Sequence, residues 1–282
     1  MKNPLLTIAI PTYNRPLFLD KALEGIAEQI TPEMEIVISD DGSKDNTEEI
    51  VKGWQTKLPN QIIYYKKPVN ERFDKNLITA IEKASGEYCW FMSDDDMLVP
   101  GAIKRVIDEL KSDNKDKFIL LNYSRFDNDA QKVTIERMME FNDRSFTLEE
   151  FLSTKSPNSF FDFFGKNIIY MSVFIFPRKY WLKYVDECKK YSGINFIHCF
   201  VFLHILKKEN LPIRYISKPY VLYRSGNIRA WGNNIWKDFN NKFLGEALAI
   251  GVSRKIIKKM QYAYRFDQFR IKAKAAIRKI WK

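Results

Sequence analysis

The order of apolar and amphipathic segments in the first hundred residues constrains the fold more than any other feature. Four apolar runs, at residues 5–10, 35–39, 62–65 and 88–92, alternate with four helical patterns, at 16–29, 46–58, 73–84 and 100–110. Short strands that alternate with helices in this way are typical of a parallel sheet covered by helices on its faces. The sequence therefore predicts an α/β domain with a mostly parallel sheet.

The pattern after the first hundred residues is less regular and predicts fewer elements. Residues 118–122 and 168–176 have the composition of further strands, and 196–207 predicts a buried helix. Pro212 and Pro219 predict a loop-rich exit from the domain. These elements extend the sheet predicted for the first hundred residues.

The domain organisation follows from that exit. We expect an α/β nucleotide-binding and catalytic domain over residues 1–215. The remaining chain, 216–282, is expected to form a loop and a basic helical extension. A chain of 282 residues is long enough for one large domain with such an appendage.

The charge of the chain is concentrated at its C-terminal end. The net charge is +11, and between Gly251 and Lys282 eleven Lys and Arg residues face a single acid, Asp267, which gives +10. Residues 1–250 therefore carry a net charge of +1. A nucleic-acid-binding protein would carry basic residues interleaved with aromatic residues across its main domain, so the nearly neutral body counts against that class.

The basic C-terminal segment has the periodicity of an amphipathic helix. Its apolar residues Phe266, Phe269, Ala273, Ile277 and Ile280 follow each other at steps of three, four, four and three. Such a helix could bind an anionic membrane surface through its basic face and its apolar stripe. The alternative, that the stripe packs on the domain or on a second copy of the chain, stays open.

The cysteines and the apolar stretches bear on the location of the chain. Cys89, Cys188 and Cys199 are odd in number and lack a metal-binding spacing, which favours a reducing cytoplasm. The longest strongly apolar stretch, 196–206, is shorter than the roughly 20 residues of a membrane helix. Residues 1–13 are interpreted as a first strand and not as a signal peptide.

Three consecutive aspartates, Asp94, Asp95 and Asp96, follow the apolar run at 88–92 after a single serine. Adjacent carboxylates repel each other, and burial increases that cost. A divalent cation removes the conflict, because Mg²⁺ and Mn²⁺ prefer carboxylate oxygens and often share their coordination shell with substrate phosphates. The triplet therefore predicts a site for Mn²⁺ or Mg²⁺ and a diphosphate. The alternative is an acidic turn that caps the helix beginning near Pro100, although one aspartate would suffice for that.

Two other strand ends carry residues suited to binding a nucleotide. Tyr13 follows the first strand, and Asp41 lies in the turn that follows the second. Each alone is compatible with ordinary boundary or turn chemistry. Ligands of open α/β sheets lie outside the carboxyl ends of the strands, so the ring, the carboxylate and the triplet are expected on one rim.

These motifs together resemble the family 2 glycosyltransferases of the GT-A fold. The segments are TIAIPTYNR at 7–15, ISDDGS at 38–43 and GEYCWFMSDDD at 86–96. The resemblance covers about residues 4–110 well and fades to general layout up to about 220. It implies a GT-A fold, with a mixed, mostly parallel sheet flanked by helices. It also implies an inverting transfer of a sugar from a nucleotide diphosphate donor to a hydroxyl group.

The resemblance also implies roles for individual residues. The resemblance places Pro11, Tyr13 and Arg15 in the nucleotide site. It implies that Asp41 accepts a hydrogen bond from the base and that Asp94 faces the ribose. It also implies that Asp95 and Asp96 hold the metal and diphosphate, and that Lys75 and Arg224 contact phosphate. The metal motif has two registers, because both Asp94-x-Asp96 and Ser93-x-Asp95 fit it. Lys75 could equally be a solvated surface lysine.

The general base is less clearly marked. The Glu-Asp pair that is common in this family is absent, and residues 192–198 stand in its place. His198 is our candidate for the base, with Asp186 and Glu187 behind it. A hydrogen-bonded core histidine on an apolar helix is the alternative. The cation would offset the charge that develops on the leaving nucleoside diphosphate.

Together these interpretations predict a cytoplasmic glycosyltransferase of the EC 2.4 class, peripheral to the inner face of the membrane. The expected donor is a UDP-sugar, and the expected acceptor is a glycan or a lipid-linked glycan. A composition rich in Lys, Asn, Ile and Phe suggests a bacterium and surface polysaccharide synthesis. The alternative, a sugar nucleotidyltransferase, would carry a Gly-rich phosphate loop near its N-terminus, which this sequence lacks. We expect no nucleic-acid partner, and oligomerisation is left open.

Overall fold

The computed structural model describes residues 3–113, 115–126, 133–139, 141–153, 170–224 and 233–258, and for 151–153, 233–237 and 240 it describes the backbone alone. The first part of the chain alternates strands and helices as predicted. Its elements are β1 Leu6–Thr12, α1 Pro16–Ala27, β2 Met34–Asp40, α2 Thr47–Lys57, β3 Ile62–Lys66, α3 Phe73–Lys83, β4 Tyr88–Phe91, β5 Met97–Leu98 and α4 Ala102–Lys111.

The second part contributes the other strands and the helices that pack on them. Its described elements are β6 Phe118–Phe126, β7 Val133–Ile135, β8 Arg144–Phe146, α5 Leu148–Ser153, β9 Phe174–Pro177, α6 Arg178–Cys188, α7 Ile197–Lys208, β10 Ile213–Arg224 and α8 Asn233–Ala249. Among the described residues, no helix is both long and apolar enough to cross a bilayer.

The described strands form one ten-stranded mixed sheet. Its order is β3-β2-β1-β4-β9-β6-β10-β5, with β7 paired to β6 and β8 paired to β10. Strands β3, β2, β1 and β4 run parallel, β10 runs parallel to β6, and β9 is antiparallel to both β4 and β6. The carboxyl ends of β1, β2 and β4 therefore meet along one side of the sheet, which we call the carboxyl edge. The predicted α/β fold with a mostly parallel sheet is confirmed.

The central strands are buried on both faces, which explains their continuous apolar sequence. All seven residues of β1 and all seven of β2 are buried. Helix α3 buries one side of its surface, including Leu77 and Ile81, against these strands. Each large aliphatic side chain buried in this way contributes roughly 1.5–3 kcal/mol to the stability of the fold.

Helix α7 lies in an aromatic part of the core, and its first ten residues, 197–206, are all buried. The ring of Phe202 lies 4.9 Å from that of Phe176 and 5.3 Å from that of Phe118. Helix α8 packs on α7 through Phe239 and Phe243. These contacts fix α7 against the part of the sheet that contains β9 and β6.

The region around Pro212 and Pro219 differs from the prediction. The loop-rich exit expected there is wrong, because β10 runs from Ile213 to Arg224 beside β6. Pro219 lies where the register between β10 and β6 shifts, and such an irregularity tolerates a residue without an N–H donor. The boundary expected between residues 215 and 216 therefore falls inside a strand of the main sheet.

Two other predictions are met only in part by the described residues. The strand expected at 168–176 begins at Phe174, because residues Met171–Val173 form a 3₁₀ turn. The basic amphipathic helix is described only as far as residue 258, within a short helix at 254–258. Its remainder, 259–282, lies outside the described residues.

Candidate functional site

The aspartate triplet lies at the carboxyl edge, and its first member joins the loop after β4 to the end of β1. Asp94 is buried, and its carboxylate accepts hydrogen bonds from the Thr12 hydroxyl at 2.8 Å and from Arg15 Nη1 at 2.7 Å. Burial raises the pKa of Asp94 to about 6, although Arg15 opposes that rise. Asp94 therefore lies beside the nucleotide residues predicted on β1.

Asp95 is the more exposed neighbour in this loop. Arg15 Nη1 lies 3.1 Å from Asp95 Oδ2, and the Ser93 hydroxyl donates to Asp95 Oδ1 at 2.6 Å. The Arg15 guanidinium thus bridges the carboxylates of Asp94 and Asp95. A fixed positive charge on this edge offsets part of the repulsion between the two carboxylates.

Asp96 turns into the protein. Its side chain accepts hydrogen bonds from the Ser172 hydroxyl at 2.7 Å and from the backbone N–H of Arg224 at 3.2 Å, and the residue is 1% exposed. Burial, with a smaller contribution from Asp95, raises the pKa of Asp96 to about 8. Both oxygens of Asp96 have protein donors, as do both oxygens of Asp95, so burial is what separates the two residues. The metal role predicted from the sequence needs a carboxylate that a ligand can reach, and Asp96 is the more buried of the two.

Arg224, at the end of β10, holds the acidic loop from the other side. Its Nε donates to the carbonyl oxygen of Asp95 at 3.1 Å. Its guanidinium lies 5.0 Å from the centroid of Phe18 and 4.7 Å from that of Phe126, in cation–π geometry. The phosphate contact predicted for Arg224 therefore concerns a side chain that is buried and bound to the loop in this structure.

Asp41 is buried among charged side chains beside the end of β3. Its Oδ1 accepts the backbone N–H of Glu71 at 3.0 Å, and Lys67 Nζ lies 3.5 Å away. Lys67 is itself buried and lies 3.2 Å from Glu71 Oε2. An open cleft of about 500 Å³, lined by residues 43–45 and 66–68, adjoins this group. The structure thus places the carboxylate expected to read the base next to a buried cation and an open cleft.

A buried asparagine ties the ends of β1 and β2 together. Asn76 Nδ2 donates to the carbonyl oxygens of Thr12 at 3.2 Å and Ser39 at 2.9 Å, and Asn76 Oδ1 accepts from the Ser39 hydroxyl at 2.7 Å. Only a side chain with adjacent donor and acceptor groups can make all three bonds. Asn76 therefore holds the ends of β1 and β2 in place at the carboxyl edge.

The other predicted nucleotide residues occupy the same edge. Pro11 is buried in β1, and Tyr13, which follows the strand, is 38% exposed. The side chain of Lys75 is 61% exposed and pairs with Glu71 at 3.2 Å. Tyr13 is thus available to stack on a ligand, whereas Lys75 has the position of a surface lysine at the rim.

The structure does not bring the three candidate catalytic residues together. His198 is 1% exposed in the first turn of α7, and its ring lies 5.9 Å from Phe202, edge to face. Glu187 contacts Lys208 at 2.7 Å and His204 at 3.3 Å, the latter about 9 Å further along α7 than His198. Asp186 pairs with a surface lysine at 2.6 Å and is largely exposed.

Sequence reasoning missed Asp74, in the first turn of α3. Its buried carboxylate accepts backbone N–H groups from Gly193 at 2.7 Å, Asn195 at 2.9 Å and Ile197 at 3.2 Å. The sequence shows only an acid at the start of a helix, two residues before Asn76. Acidic residues are common in the first turn of exposed helices, so this position alone does not indicate a function.

The chemistry of the donor set decides whether a cation fits here. Within the part of the chain that the structure describes, no group of three or more His, Cys, Asp or Glu side chains is arranged to hold a metal ion. Mg²⁺ and Mn²⁺ often take only one or two carboxylates and complete their shell with water and phosphate. Asp95, the more exposed of the triplet, fits that mode.

The family of the chain is settled by comparison with known sequences. The sequence profile of Glycosyl transferase family 2 matches residues 7–179, more than half of the chain. The chain belongs to this family. The matched residues include every strand of the carboxyl edge, Asp41 and the aspartate triplet. The predicted resemblance is therefore confirmed.

A glycosyltransferase sequence and a solved structure are each similar to this chain over most of its length. Abequosyltransferase RfbV of Salmonella typhimurium is 29% identical over 235 residues, which cover 79% of this chain and 67% of that protein. The crystal structure of S. aureus TarS 1-349 in complex with UDP-GlcNAc has a TM-score of 0.67 at 19% identity, and the match covers 91% of this chain and 71% of that chain.

A second solved structure shares the fold at lower similarity. The mannosyltransferase PcManGT from Pyrobaculum calidifontis, in complex with GDP-Man and Mn²⁺, has a TM-score of 0.57 at 15% identity, and the match covers 94% of this chain and 70% of that chain. At these identities the two structures establish the fold alone. The GT-A architecture predicted from the sequence is thereby confirmed.

Proposed function

We propose that this family 2 chain transfers a sugar, with inversion, from a nucleotide diphosphate donor to a hydroxyl group of a glycan or lipid-linked glycan. The observation that carries the proposal is the convergence of Tyr13, Asp41, Asp94 and Asp95 on one edge of the sheet. A ring, a base-reading carboxylate and a partly exposed carboxylate that can bind a metal are groups suited to binding such a donor. The setting we propose is bacterial surface polysaccharide synthesis.

The donor we propose is a UDP-sugar. The solved TarS structure, which shares the fold, contains UDP-GlcNAc. In this proposal Tyr13 stacks on the base, Asp41 accepts its N–H, and Asp94 faces the ribose. Arg15 lies beside the first two aspartates and can turn toward the diphosphate, because its side chain is only partly buried.

Asp95 is proposed to hold Mn²⁺ or Mg²⁺. A bound cation would neutralise the charge on the leaving nucleoside diphosphate. Asp96, whose oxygens are bonded to Ser172 and Arg224, is proposed to support the loop that presents Asp95. This assigns the metal motif to the register Ser93-x-Asp95. The PcManGT structure, which shares the fold, was solved in complex with Mn²⁺, and this supports a divalent cation in the proposal.

His198 is the proposed general base, because it lies in the first turn of α7, directly after the residue whose N–H Asp74 of α3 accepts. The His198→Gln variant should lose sugar transfer while it still binds nucleotide, since glutamine keeps hydrogen-bonding groups but cannot take the proton. An unchanged rate would show that His198 only packs in the core. A nucleotide-release assay measures the rate, and a thermal unfolding curve reports the packing.

The site of action is proposed to be the inner face of the cytoplasmic membrane, reached through the basic segment at 251–282. That segment carries most of the net positive charge of the chain, and anionic lipid attracts such a segment. Sedimentation with anionic vesicles tests this, with a variant truncated after residue 258 as the comparison. If the truncated variant sediments equally well, the segment does not bind the membrane.

Thermal unfolding with a panel of UDP, GDP, CDP and dTDP, each with and without Mn²⁺, tests the proposed function. UDP with Mn²⁺ should stabilise the chain, because a ligand that binds only the folded state raises the unfolding temperature. The Asp95→Asn variant should lose the part of the shift that needs Mn²⁺. Asp108→Asn, which changes an exposed aspartate of α4, is the matched control. The proposal fails if no nucleotide stabilises the chain.

A further inference from the structure

The carboxylate of Asp74 joins two parts of the chain that are far apart in sequence. It lies in the first turn of α3 and accepts three backbone N–H groups from the segment 193–197, which we call the α7 lead-in. The lead-in ends at the first residue of α7. No other element touches the carboxylate in the hydrogen bonds that the structure describes for it.

The backbone of the lead-in is shaped around this anion. Gly193 and Asn195 have φ angles of 96° and 63°, in the left-handed region that turns successive N–H groups toward one side. Ile197 N–H belongs to the first turn of α7, where backbone N–H groups have no partner within the helix. Burial raises the pKa of Asp74, while the hydrogen bonds from the lead-in oppose that rise.

The same turn of α3 also contacts the ends of the strands at which we propose that the donor binds. Asn76, two residues after Asp74, bonds to the ends of β1 and β2. One helical turn therefore connects the carboxyl edge, where Asp94 and Asp95 lie, to the start of α7. His198 directly follows Ile197, the last residue that Asp74 contacts.

We infer that Asp74 is a positioning residue that sets the distance between the donor edge and the start of α7, on the acceptor side of the site. It acts through the backbone of the lead-in and does not touch substrate. The inference rests on the proposed function, because it assigns the start of α7 to the acceptor side. A misplacement of about 1 Å between reacting groups can lower a rate about 100-fold, so a fixed lead-in matters for turnover.

A purely structural role is the competing explanation, and Glu35 provides the matched control. This buried carboxylate of β2 accepts the backbone N–H groups of Ser85 at 2.6 Å and Gly86 at 3.2 Å. It lies at the first residues of β2, at the opposite end of the sheet from the carboxyl edge. Glu35→Gln should therefore lower stability without changing the turnover of the folded protein.

Two measurements on the full chain test the inference, with Asp74→Ala, Asp74→Asn and Glu35→Gln. Hydrogen exchange, followed by mass spectrometry, should be faster at 193–198 in Asp74→Ala and unchanged there in Glu35→Gln. Release of UDP from UDP-GlcNAc, with the sugar transferred to water, should fall about 10- to 100-fold per folded molecule in Asp74→Ala. Asp74→Asn, which keeps one acceptor oxygen, should lie between Asp74→Ala and the unmodified chain.

The stabilisation by UDP and Mn²⁺ should be the same in all three variants as in the unmodified chain. Unchanged exchange at 193–198 in Asp74→Ala would overturn the inference, and so would an equal fall of turnover in Glu35→Gln. Should the unmodified chain not respond to any nucleotide, the proposed function fails, while the exchange measurement still shows whether Asp74 fixes the lead-in. The two failures are therefore distinguishable.

Discussion

Replacing Asn76 by alanine should strongly destabilise the chain. The substitution removes three hydrogen bonds, to the carbonyl oxygens of Thr12 and Ser39 and from the Ser39 hydroxyl. The carbonyl oxygen of Thr12 still accepts the N–H of Asp41 at 3.0 Å, so this oxygen loses only part of its hydrogen bonding. The bonds contribute about 2–3 kcal/mol, and a buried group left without a partner adds about 1–3 kcal/mol, so the free energy of unfolding should fall by roughly 3–6 kcal/mol.

Urea denaturation, followed by circular dichroism, measures this change. Thr79→Ala is the control, because Thr79 lies on the exposed side of α3, and we expect a change within about 0.5 kcal/mol. A double-mutant cycle with Ser39→Ala isolates the bond between the Ser39 hydroxyl and Asn76, for which we expect a coupling of about 1 kcal/mol.

The nucleotide site should respond in the same variant. Because Asn76 holds the ends of β1 and β2, Asn76→Ala should also reduce the stabilisation by UDP and Mn²⁺. A loss of stability below about 1 kcal/mol would refute this account, since that value corresponds to the loss of a single bond. It would mean that water or a neighbouring side chain replaces Asn76.

Three further predictions concern stability. Burial alone would raise the pKa of Glu246, but a hydrogen bond from Tyr191 and further partners hold it below its ordinary value, so its stabilisation is present above the ordinary pKa and is lost as the pH falls through the lowered one. Denaturation at pH 7 and pH 4 should therefore show a weaker pH dependence in Glu246→Gln, and an equal dependence would contradict this. In Gly86→Ala, the new β-carbon would lie 2.5 Å from the Thr7 hydroxyl oxygen, which should cost about 1–3 kcal/mol or more. Gly53→Ala, with open space and a helical backbone, should stabilise by about 0.5–1 kcal/mol.

The regular part of the fold could be predicted from the sequence because its signals are local. Helix α1 was expected at 16–29 and runs from Pro16 to Ala27, and the strand expected at 62–65 is Ile62–Lys66. The apolar runs of β1 and β2 need no knowledge of their neighbours, since strands buried on both faces are apolar throughout. Alternation of such runs with helices was enough to predict the carboxyl edge.

The parts that the sequence did not predict depend on partners far away in the chain. Strand β10 contains Pro219, and its place is fixed by pairing with β6, almost a hundred residues earlier. The separate orientations of Asp95 and Asp96 depend on Arg15 and Ser172, which no local pattern reveals. The role of Asp74 likewise depends on a lead-in more than a hundred residues later.

The way Arg224 closes the loop after β4 has a consequence for the order in which the protein matures. The acidic triplet is synthesised long before Ser172 and the end of β10, whose hydroxyl and backbone N–H groups bond to Asp96. In a nascent chain that stops short of residue 224, the three adjacent carboxylates would have only part of their hydrogen-bond donors. The β1–β4 half of the sheet can collapse early on the ribosome, but the loop is complete only when β10 has been synthesised.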